Sequence, residues 1–320
     1  MKAALPRVTV GVPVYNGEQY LARALDSLLH SDYPNLEVII CDNASTDATP
    51  EIAARYTSVD GRFRYFRSEL NLGAAENFNK TFALATGTYF RWLGHDDWCT
   101  TDYDSRCVAV LEREVDSAVV FASQNIVRGD RVLSVTRQPI EQAASRHPVA
   151  RARCLSWHLR DPTAPVFGLM RREVLARTGM IRNAPEPDRL LIHEMALYGR
   201  IRMLDEPLFF HYRGLAHSLH YGENPKLRRR SFEWLHPDNR DKRQLTTARV
   251  LLEHWHAIVR SDISAIEKSL CWWHVLSAAL VRRPISRWRR SRSLRRSALQ
   301  LASTGSDASW ESGQGGEKTA

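Results

Sequence analysis

The 320-residue sequence lacks the features that mark membrane-spanning, secreted and metal-stapled proteins. No stretch approaches the roughly 20 apolar residues of a membrane-spanning helix, since even the apolar stretch over 270–281 contains His274 and Ser277. The apolar stretch over 8–15 has no small-residue cleavage site after it, so we expect no signal peptide. The five cysteines include no Cys-x-x-Cys pair, which favours reduced thiols over a zinc or redox motif. We therefore expect a cytoplasmic protein.

Acidic residues are scarce in one part of the chain. The formal net charge is +9, and residues 226–300 hold 18 Lys and Arg against 6 Asp and Glu. Residues 282–296 contain eight arginines and no acid, whereas residues 1–225 are close to neutral. Hydrophobic residues (43%) and charged residues (25%) are otherwise balanced as in a folded protein, which excludes a disordered or collagen-like chain. The composition thus predicts a near-neutral folded body followed by a basic segment.

The first 125 residues alternate between short β-rich runs and apolar patterns of three- and four-residue spacing. Strands are predicted at 7–14, 36–41, 63–67, 88–93 and 118–127, and helices at 20–29, from 47 onward and at 73–85. This alternation is typical of a doubly wound α/β fold with a parallel sheet. Ligands of such sheets bind at the carboxyl ends of the strands, so functional side chains are expected there.

Beyond residue 140 the pattern changes to short helices punctuated by prolines. Helices are predicted at 150–159, 172–177 and 188–198, followed by a strand over 201–212 that a turn at Asp205-Glu-Pro207 interrupts. Residues 240–280 carry a helical apolar stripe, and the Gly- and Ser-rich residues 301–320 are predicted to be disordered.

Polar clusters follow each of the first four predicted strands, at 13–17, 42–47, 71–77 and 94–97. Taken singly, each has a simpler interpretation, because Asn and Gly are common in turns and Ser, Thr or Asp often caps a helix. The carboxyl ends of parallel strands meet at one edge of a sheet, however. Four clusters in succession therefore indicate a ligand site at that edge.

The adjacent carboxylates of Asp96 and Asp97 follow the apolar strand over 89–93. Two neighbouring carboxylates repel each other, and each resists ionisation unless a cation lies beside them. Oxygen ligands select Mg²⁺ or Mn²⁺, which typically keep water and substrate phosphates in their coordination shell. The pair predicts a divalent-metal site, with an exposed surface turn as the alternative.

Four motifs occur in a fixed order along the first part of the chain. They are Val10-Gly-Val-Pro-Val-Tyr-Asn16, Asp42-Asn-Ala-Ser-Thr-Asp47, Asn71-Leu-Gly73 with Asn77, and Ala85-Thr-Gly-Thr-Tyr89 followed by Asp96-Asp97. In this order they resemble the motifs of glycosyltransferase family 2, strongly over residues 6–125 and weakly to about 220. The resemblance implies the GT-A fold, an α/β fold with a mixed, mostly parallel sheet flanked by helices. It also implies inverting transfer of a sugar from a nucleotide-diphospho donor.

The resemblance further suggests how the chain is organised. Residues 1–220 would form the GT-A domain, with a nucleotide-binding half over about 1–127 and an acceptor half over about 128–220. Residues 221–300 would form a basic helical extension, and 301–320 a disordered tail.

Eight residues match nucleotide-binding positions of the family. They are Pro13, Tyr15, Glu18, Asp42, Asn43, Ser45, Asn71 and Gly73. The first three resemble the wall that holds the base and ribose. Asp42 matches the acid that contacts the base, usually uracil, with the next two residues beside it. The last two match a loop that lets the backbone approach the nucleotide.

The metal-binding triplet of the family matches residues 95–97. Asp97 falls on the position that binds Mn²⁺ or Mg²⁺, and Asp96 on a ribose or diphosphate contact. The first position, often Asp in the family, is His95 here, which weakens the implied metal affinity. His95 and His211 are further candidate metal ligands.

The catalytic base of the family is an Asp or Glu in the second half of the domain, just before a helix. Asp188 matches this position best, with Glu194 and Glu186 as rivals and a helix cap as the alternative role for Asp188. Candidate residues near the diphosphate are His211, Arg213 and His217.

The basic segment could bind anionic lipid, bind nucleic acid or simply be solvated. Val281, Ile285 and Trp288 fall at helical spacing among the arginines, which favours a helix on a membrane surface. We expect peripheral contact with an anionic membrane through 281–296, at the inner face of the membrane. Nucleic acid is not an expected partner, because aromatic residues are not interleaved with the arginines and no nucleic-acid-binding fold is visible.

The expected function is that of a metal-dependent inverting glycosyltransferase. Its donor would be a nucleotide-diphospho-sugar, UDP-linked rather than GDP- or dTDP-linked, and its acceptor a saccharide or lipid-linked saccharide. One alternative is a nucleotidyltransferase on a similar sheet, although residues 15–19 lack the Gly-rich basic loop that such enzymes carry after the first strand. Others are a non-catalytic nucleotide-binding protein, and a nucleic-acid-binding protein acting through the basic segment.

Overall fold

The structure is a computed structural model that describes residues 4–136, 141–158, 163–213, 229, 232–240 and 246–280. It divides the chain into two compact units, Met1–Val275 and Leu276–Ala320. The described part of the second unit, residues 276–280, is helical. The predictions for His217, for the membrane contact of 281–296 and for the tail over 301–320 fall outside the described residues. The domain boundaries predicted at 220 and 300 stay predictions.

The N-terminal part of the first unit alternates between strand and helix, as predicted. Its elements are β1 (Val8–Val14), α1 (Leu21–Leu29), β2 (Leu36–Asp42), α2 (Thr49–Val59), β3 (Phe63–Arg67), α3 (Ala74–Ala83) and β4 (Tyr89–Trp92). β1 and β2 are buried along their whole length, as expected for apolar runs in a sheet that is covered on both faces. α1 buries Leu21, Ala24, Leu25 and Leu28, the stripe that predicted it.

The second part of this unit has more varied elements. Its strands are β5 (Trp98–Cys99), β6 (Ser117–Arg128), β7 (Arg131–Thr136), β8 (Leu169–Arg171) and β9 (Arg200–Tyr212). Its helices are α4 (Tyr103–Arg113), α5 (Pro148–His158), α6 (Thr163–Val166), α7 (Arg172–Leu175), α8 (Pro187–Tyr198) and α9 (Thr246–Arg260). A further helix, α10, begins at residue 265, and its residues up to 275 belong to the first unit.

Within the described residues, nine strands form one mixed sheet in the order β3-β2-β1-β4-β8-β6-β9-β5, with β7 beside β6. The parallel pairings are those of β1 with β2 and β4, of β2 with β3, and of β6 with β9, whereas β7 is antiparallel to β6 and β5 is antiparallel to β9. The short strand β8 is antiparallel to both of its neighbours, β4 and β6, and joins the two parallel parts. The fold class predicted from the sequence is therefore confirmed.

The turn predicted at Asp205-Glu-Pro207 is wrong, because β9 continues through it. The pairing of β9 with β6 shifts between Ala122 and Gln124, so the exposed residues 205–207 bulge from a continuous strand. Proline is tolerated at a bulge because its missing N–H is not needed for the ladder there. The side-chain amide of Asn125 donates to the carbonyl oxygen of Pro207 at 2.8 Å and holds the bulge in place.

The helical stretch predicted over 240–280 consists of two helices in the described residues, α9 and α10. The break is a capping box at the start of α10. The Ser264 N–H donates to Glu267 Oε2 at 2.9 Å, and the Glu267 N–H donates to Ser264 Oγ at 3.3 Å. None of the helices in the described ranges is long and apolar enough to cross a membrane. All five cysteines are free and buried.

The apolar side chains form two large clusters, one on each face of the sheet. The first packs β1 against α1, α2 and α4, and the second packs β2 and β4 against α3, α5 and α8. A third cluster, made of Ala152, Leu197, Ile258, Cys271 and Val275, joins α9 and α10 to α5 and α8. The C-terminal helices of the first unit therefore pack directly on the helix that carries Asp188.

His254 on α9 lies in the interface with α8. Its ring packs against that of His193, with the ring centroids 4.8 Å apart. Burial, together with the positive charges of Arg189 and Arg182, lowers the pKa of His254 from 6.5 to about 3. His254 is therefore neutral in the folded protein at pH values where it would be protonated in the unfolded chain.

We expect the stability of this interface to fall as the pH drops below about 6.5. Between that pH and about 3 the unfolded chain binds one more proton, so protonation favours unfolding. Between pH 6.5 and 4.5 the unfolding free energy, measured by urea denaturation, should fall by about 2–3 kcal/mol less in His254→Leu than in the wild type. The control is His256→Leu, because the His256 side chain is exposed on the same helix. This variant should keep the wild-type slope of unfolding free energy against pH. An unchanged slope in His254→Leu would show that another group carries the acid sensitivity.

Candidate active site

The loops that follow β1 and β2 are bonded to each other. The Asn16 N–H donates to Ser45 Oγ at 2.9 Å, and the Thr46 N–H donates to Asn16 Oδ1 at 2.9 Å. The Gly17 N–H donates to Thr49 Oγ1 at 2.8 Å, which fixes the start of α2 against the first loop. The first two polar clusters thus form one continuous surface at the carboxyl edge of the sheet.

The third cluster joins the same edge through Asn43. Its side-chain amide donates to Asn71 Oδ1 at 2.9 Å and to the Gly73 carbonyl oxygen at 3.1 Å, and its Oδ1 accepts the Leu72 N–H at 2.9 Å. Asn43 is buried, whereas Asn71 is exposed. The bonds that the structure shows for Asn43 and Ser45 hold the loops together, and their predicted nucleotide contacts stay predictions.

Gly73 sits at a close approach of two segments and has a φ of 86°. A Cβ atom there would stand 2.5 Å from the carbonyl oxygen of Leu235 and 2.6 Å from the Cα of His236. Only glycine fits both the left-handed backbone and this contact. The loop after β3 is therefore covered by the segment around Leu235 and His236.

Asp42 is fully buried at the end of β2. Its Oδ1 accepts the Ser45 N–H at 2.8 Å, and its Oδ2 accepts the Tyr65 hydroxyl at 2.6 Å. Burial, followed by this hydrogen bond, raises the pKa of Tyr65 well above its usual range. Arg67 Nε lies 3.7 Å from Asp42 Oδ2. Tyr65 and Arg67 were not predicted as site residues; they lie beside Asp42 because β3 pairs in parallel with β2.

Asp97 joins the loop after β4 to the end of β9. Its side chain is buried, its Oδ1 accepts the Tyr212 N–H at 2.9 Å, and His211 Nδ1 lies 3.1 Å from Oδ1 and 3.3 Å from Oδ2. The alternative of an exposed surface turn is wrong for Asp97. The fourth cluster is thereby connected to two residues more than a hundred positions later in the chain.

Gly94 provides the space in which the two neighbouring carboxylates converge. A Cβ atom on Gly94 would stand 3.0 Å from Asp96 Oδ1 and 2.9 Å from Asp97 Oδ2. Asp96 is half-buried, and so is His95, whose Cδ2 would lie 3.0 Å from a Cβ at Gly17. The His95 ring therefore lies against the loop after β1, and its role as a metal ligand stays a prediction.

No group of three His, Cys, Asp or Glu side chains among the described residues is arranged to hold a metal ion by itself. A Mg²⁺ or Mn²⁺ ion beside a diphosphate needs only one or two carboxylates, because phosphate oxygens and water complete its shell. The convergence of Asp96 and Asp97 over Gly94, with His211 next to Asp97, fits this kind of partial site.

A cluster of aromatic side chains with one arginine lies beside the same loop, and the sequence analysis did not single it out. The Arg23 guanidinium stands 3.6 Å from the ring centroid of Trp98, which stacks on Phe210 at 5.1 Å. The Tyr20 hydroxyl donates to the Tyr212 hydroxyl at 3.2 Å. This bond, followed by burial, raises the pKa of Tyr20. The start of α1 thus places a cation next to the acidic loop.

Asp188 lies in the first turn of α8. The N-cap of this helix is Glu186, with a φ of 55°, so the cap-only interpretation of Asp188 is wrong. The left-handed conformation of a non-glycine residue costs about 1–2 kcal/mol. Glu186 Oε2 accepts a hydrogen bond from Arg189 Nε at 2.8 Å. Asp188 is half-buried.

Glu194, the rival candidate for the base, has a different environment. Its side chain is fully buried, Oε2 accepts hydrogen bonds from the Gly179 N–H at 3.0 Å and from Arg182, and Oε1 accepts from Arg260 at 2.9 Å. Both of its oxygens are therefore occupied by cations and an amide inside the protein. Glu194 ties α8 to the preceding loop and to α9.

Residues 9–179 match the sequence profile of Glycosyl transferase family 2, over half of the chain. The chain is 35% identical over 114 residues to glycosyltransferase GlyA of Streptococcus pneumoniae, a match that covers 35% of this chain and 16% of GlyA. The chain thus spans a small part of the length of this relative.

Two solved structures have the same fold. Residues 1–349 of TarS from S. aureus, in complex with UDP-GlcNAc, are 20% identical with a TM-score of 0.62, covering 85% of this chain and 72% of that one. The mannosyltransferase PcManGT from Pyrobaculum calidifontis, in complex with GDP-Man and Mn²⁺, is 18% identical with a TM-score of 0.55, covering 93% and 81%. At these identities the likeness establishes the GT-A fold.

The order of the motifs, the GT-A sheet and a family profile that covers more than half of the chain lead to one conclusion. This protein belongs to glycosyl transferase family 2.

Proposed function

We propose that the protein is a metal-dependent inverting glycosyltransferase with a UDP-sugar donor and a saccharide or lipid-linked saccharide acceptor. The observation that carries the proposal is the single rim made by the loops after β1 to β4, with two carboxylates converging over Gly94 at its end. The nucleotide sugars bound to structures of the same fold, UDP-GlcNAc in TarS and GDP-Man in PcManGT, support it.

The donor would bind along this rim. Tyr15 has 42% of its surface exposed, so its ring is available to the base, with Pro13 and Glu18 completing the wall. Asp42 contacts the base, while Ser45 and Tyr65 keep its carboxylate in place. Asn71 and Gly73 border the nucleotide on the other side, and Asn43 positions their loop.

The diphosphate would lie beside residues 95–97. Asp97, with His211 or His95, would hold Mn²⁺ or Mg²⁺, and Asp96 would contact the ribose or the diphosphate. When bound, the metal ion stabilises the negative charge that develops on the leaving diphosphate. Arg213, which follows β9, is a further candidate for the diphosphate.

Asp188 would act as the general base. Its carboxylate accepts the proton of the acceptor hydroxyl while the oxygen attacks the anomeric carbon and the bond to the diphosphate breaks. Attack from the face opposite the diphosphate inverts the anomeric configuration. Glu194 is a positioning residue in this scheme, because its ion pairs with Arg182 and Arg260 hold the helix that carries Asp188.

The proposal predicts release of UDP from a UDP-sugar when Mn²⁺ and a saccharide acceptor are present. A panel of UDP-, GDP- and dTDP-sugars, each with isotope-labelled sugar, separates transfer from hydrolysis. A nucleotidyltransferase would instead release pyrophosphate from a nucleoside triphosphate and a sugar phosphate. Release of pyrophosphate, or binding of nucleotide without transfer of any labelled sugar, would contradict the proposal.

Asp188→Asn should lower kcat by about 10²–10⁴ while the dissociation constant for the donor changes little. The substitution removes proton acceptance and leaves the nucleotide rim intact, so the low-pH limb of the kcat profile should vanish with it. Glu186→Gln tests the rival acid at the N-cap, and it should retain near wild-type turnover if Asp188 is the base.

Glu194→Gln should lower the unfolding midpoint but keep the low-pH limb of kcat, because it perturbs packing and not the proton acceptor. Normal turnover in Asp188→Asn together with loss of the limb in Glu194→Gln would reverse the two roles.

Asp97→Asn should raise the Mn²⁺ concentration for half-maximal activity by at least about tenfold. The amide can still accept the Tyr212 N–H, so the loop stays attached to β9 while a ligand charge is lost. Asp102→Asn, at a carboxylate that pairs with Arg106 on the surface, is the matched control. If Asp97→Asn had the wild-type Mn²⁺ dependence, or if the wild type kept full activity after chelation, Asp97 would not be a metal ligand.

A further inference from the structure

The outer faces of α9 and α10 carry exposed apolar side chains at helical spacing. On α9 they are Leu252, Trp255 and Val259, and on α10 they are Ile266, Leu270 and Trp273. Each has between 44% and 74% of its surface exposed. Single exposed apolar residues are normal on protein surfaces, but two stripes on adjacent helices form a patch of the kind that marks an interaction site. We call these six residues the apolar face.

The two stripes point to the same side of the first unit. Ile258 on α9 and Cys271 and Val275 on α10 are buried in one shared cluster with Ala152 and Leu197. At 100° per residue, the exposed stripe of each helix lies opposite its buried stripe. Both stripes therefore face away from the body of the unit. The rings of Trp255 and Trp272 meet edge to face at 5.3 Å and hold the two helices together near the surface.

The chemistry of the apolar face suits a lipid interface. Two of its six side chains are tryptophans, which prefer the boundary between water and hydrocarbon because the ring is apolar and the N–H needs a polar partner. Leu, Ile and Val supply the area that enters the acyl region. An apolar stripe on one side of a helix is the pattern of segments that lie in the plane of a membrane.

The charge of the residues after α10 favours a membrane over a second copy of the protein as the partner of the apolar face. Residues 282–296, directly after α10 in the sequence, contain eight arginines and no acid. Anionic lipid attracts such a segment, because each Lys or Arg near the membrane surface adds a favourable electrostatic interaction. Two copies of the chain, each with a formal net charge of +9, would repel each other instead.

We propose that α9 and α10 rest on an anionic lipid surface through the apolar face, with the arginines of 282–296 adding electrostatic attraction. The role of this face is independent of the sugar-transfer reaction, and vesicle binding tests it without any activity assay.

The test is co-sedimentation of the full chain with phosphatidylcholine vesicles that contain or lack about one third phosphatidylglycerol. The wild type should bind the anionic vesicles, and salt should weaken this binding. Arg289/Arg290/Arg292→Gln should raise the apparent dissociation constant by about 100-fold, and Leu270→Ser/Trp273→Ser by about tenfold or more.

Two matched controls accompany these variants. Arg113/Arg131/Arg146→Gln removes the same charge from other exposed positions, and Val59→Ser/Val115→Ser removes exposed apolar side chains elsewhere. Both controls should bind like the wild type. The unfolding midpoint of every variant is measured alongside, and it should stay at the wild-type value if the substitutions act on vesicle binding alone.

Three results would overturn the proposal. The first is absence of wild-type binding to the anionic vesicles. The second is equal binding by the wild type and the Leu270/Trp273 variant. The third is a wild-type dimer in sedimentation velocity that Leu270→Ser/Trp273→Ser converts to a monomer without changing vesicle binding, which would make the apolar face a self-association surface.

Discussion

The hydrogen bond from the Tyr212 N–H to the buried carboxylate of Asp97 is the interaction on which the arrangement of the site depends. The carboxylate accepts this backbone N–H and lies beside His211, so it fixes the end of β9 against the loop after β4. An unpaired carboxylate in this position would be costly to bury, and an unpaired N–H at the end of β9 would be costly as well. The bond therefore brings the end of β9 to the loop that follows β4, next to the converging carboxylates at Gly94.

A second constraint is the set of ion pairs around Glu194 on α8. It gives Glu194 and Asp188, two acids on one helix, different environments. Glu194 is enclosed by Arg182, Arg260 and the Gly179 amide, whereas Asp188 lies half-buried in the first turn. Removing one partner of a buried ion pair costs more than the pair contributes, so loss of the Glu194 carboxylate would loosen the contact of α8 with α9. Of these two acids on α8, Asp188 is the one that we propose as the general base.

The elements that the sequence predicted well are those with strong local patterns. The β-branched runs at β1 and β2 and the stripe of α1 lie where the spacing placed them, and the polar clusters after the strands meet at one edge. The continuity of β9 through Pro207 could not be predicted from the neighbouring residues, because it depends on the shifted pairing with β6. The burial of Glu194 depends on Arg260, which is 66 positions away. The capping box from Ser264 to Glu267, by contrast, was readable in the sequence and was missed.

Hydrogen exchange with and without UDP and Mn²⁺ tests most directly whether the four loops form one nucleotide-binding rim. Slow exchange follows from amides that a ligand covers or orders. We expect UDP with Mn²⁺ to protect the peptides that contain residues 13–18, 42–47, 71–77 and 94–97 together, and to leave the peptides of α9 unchanged. Unchanged exchange in these four loops, or protection confined to another part of the chain, would contradict the account.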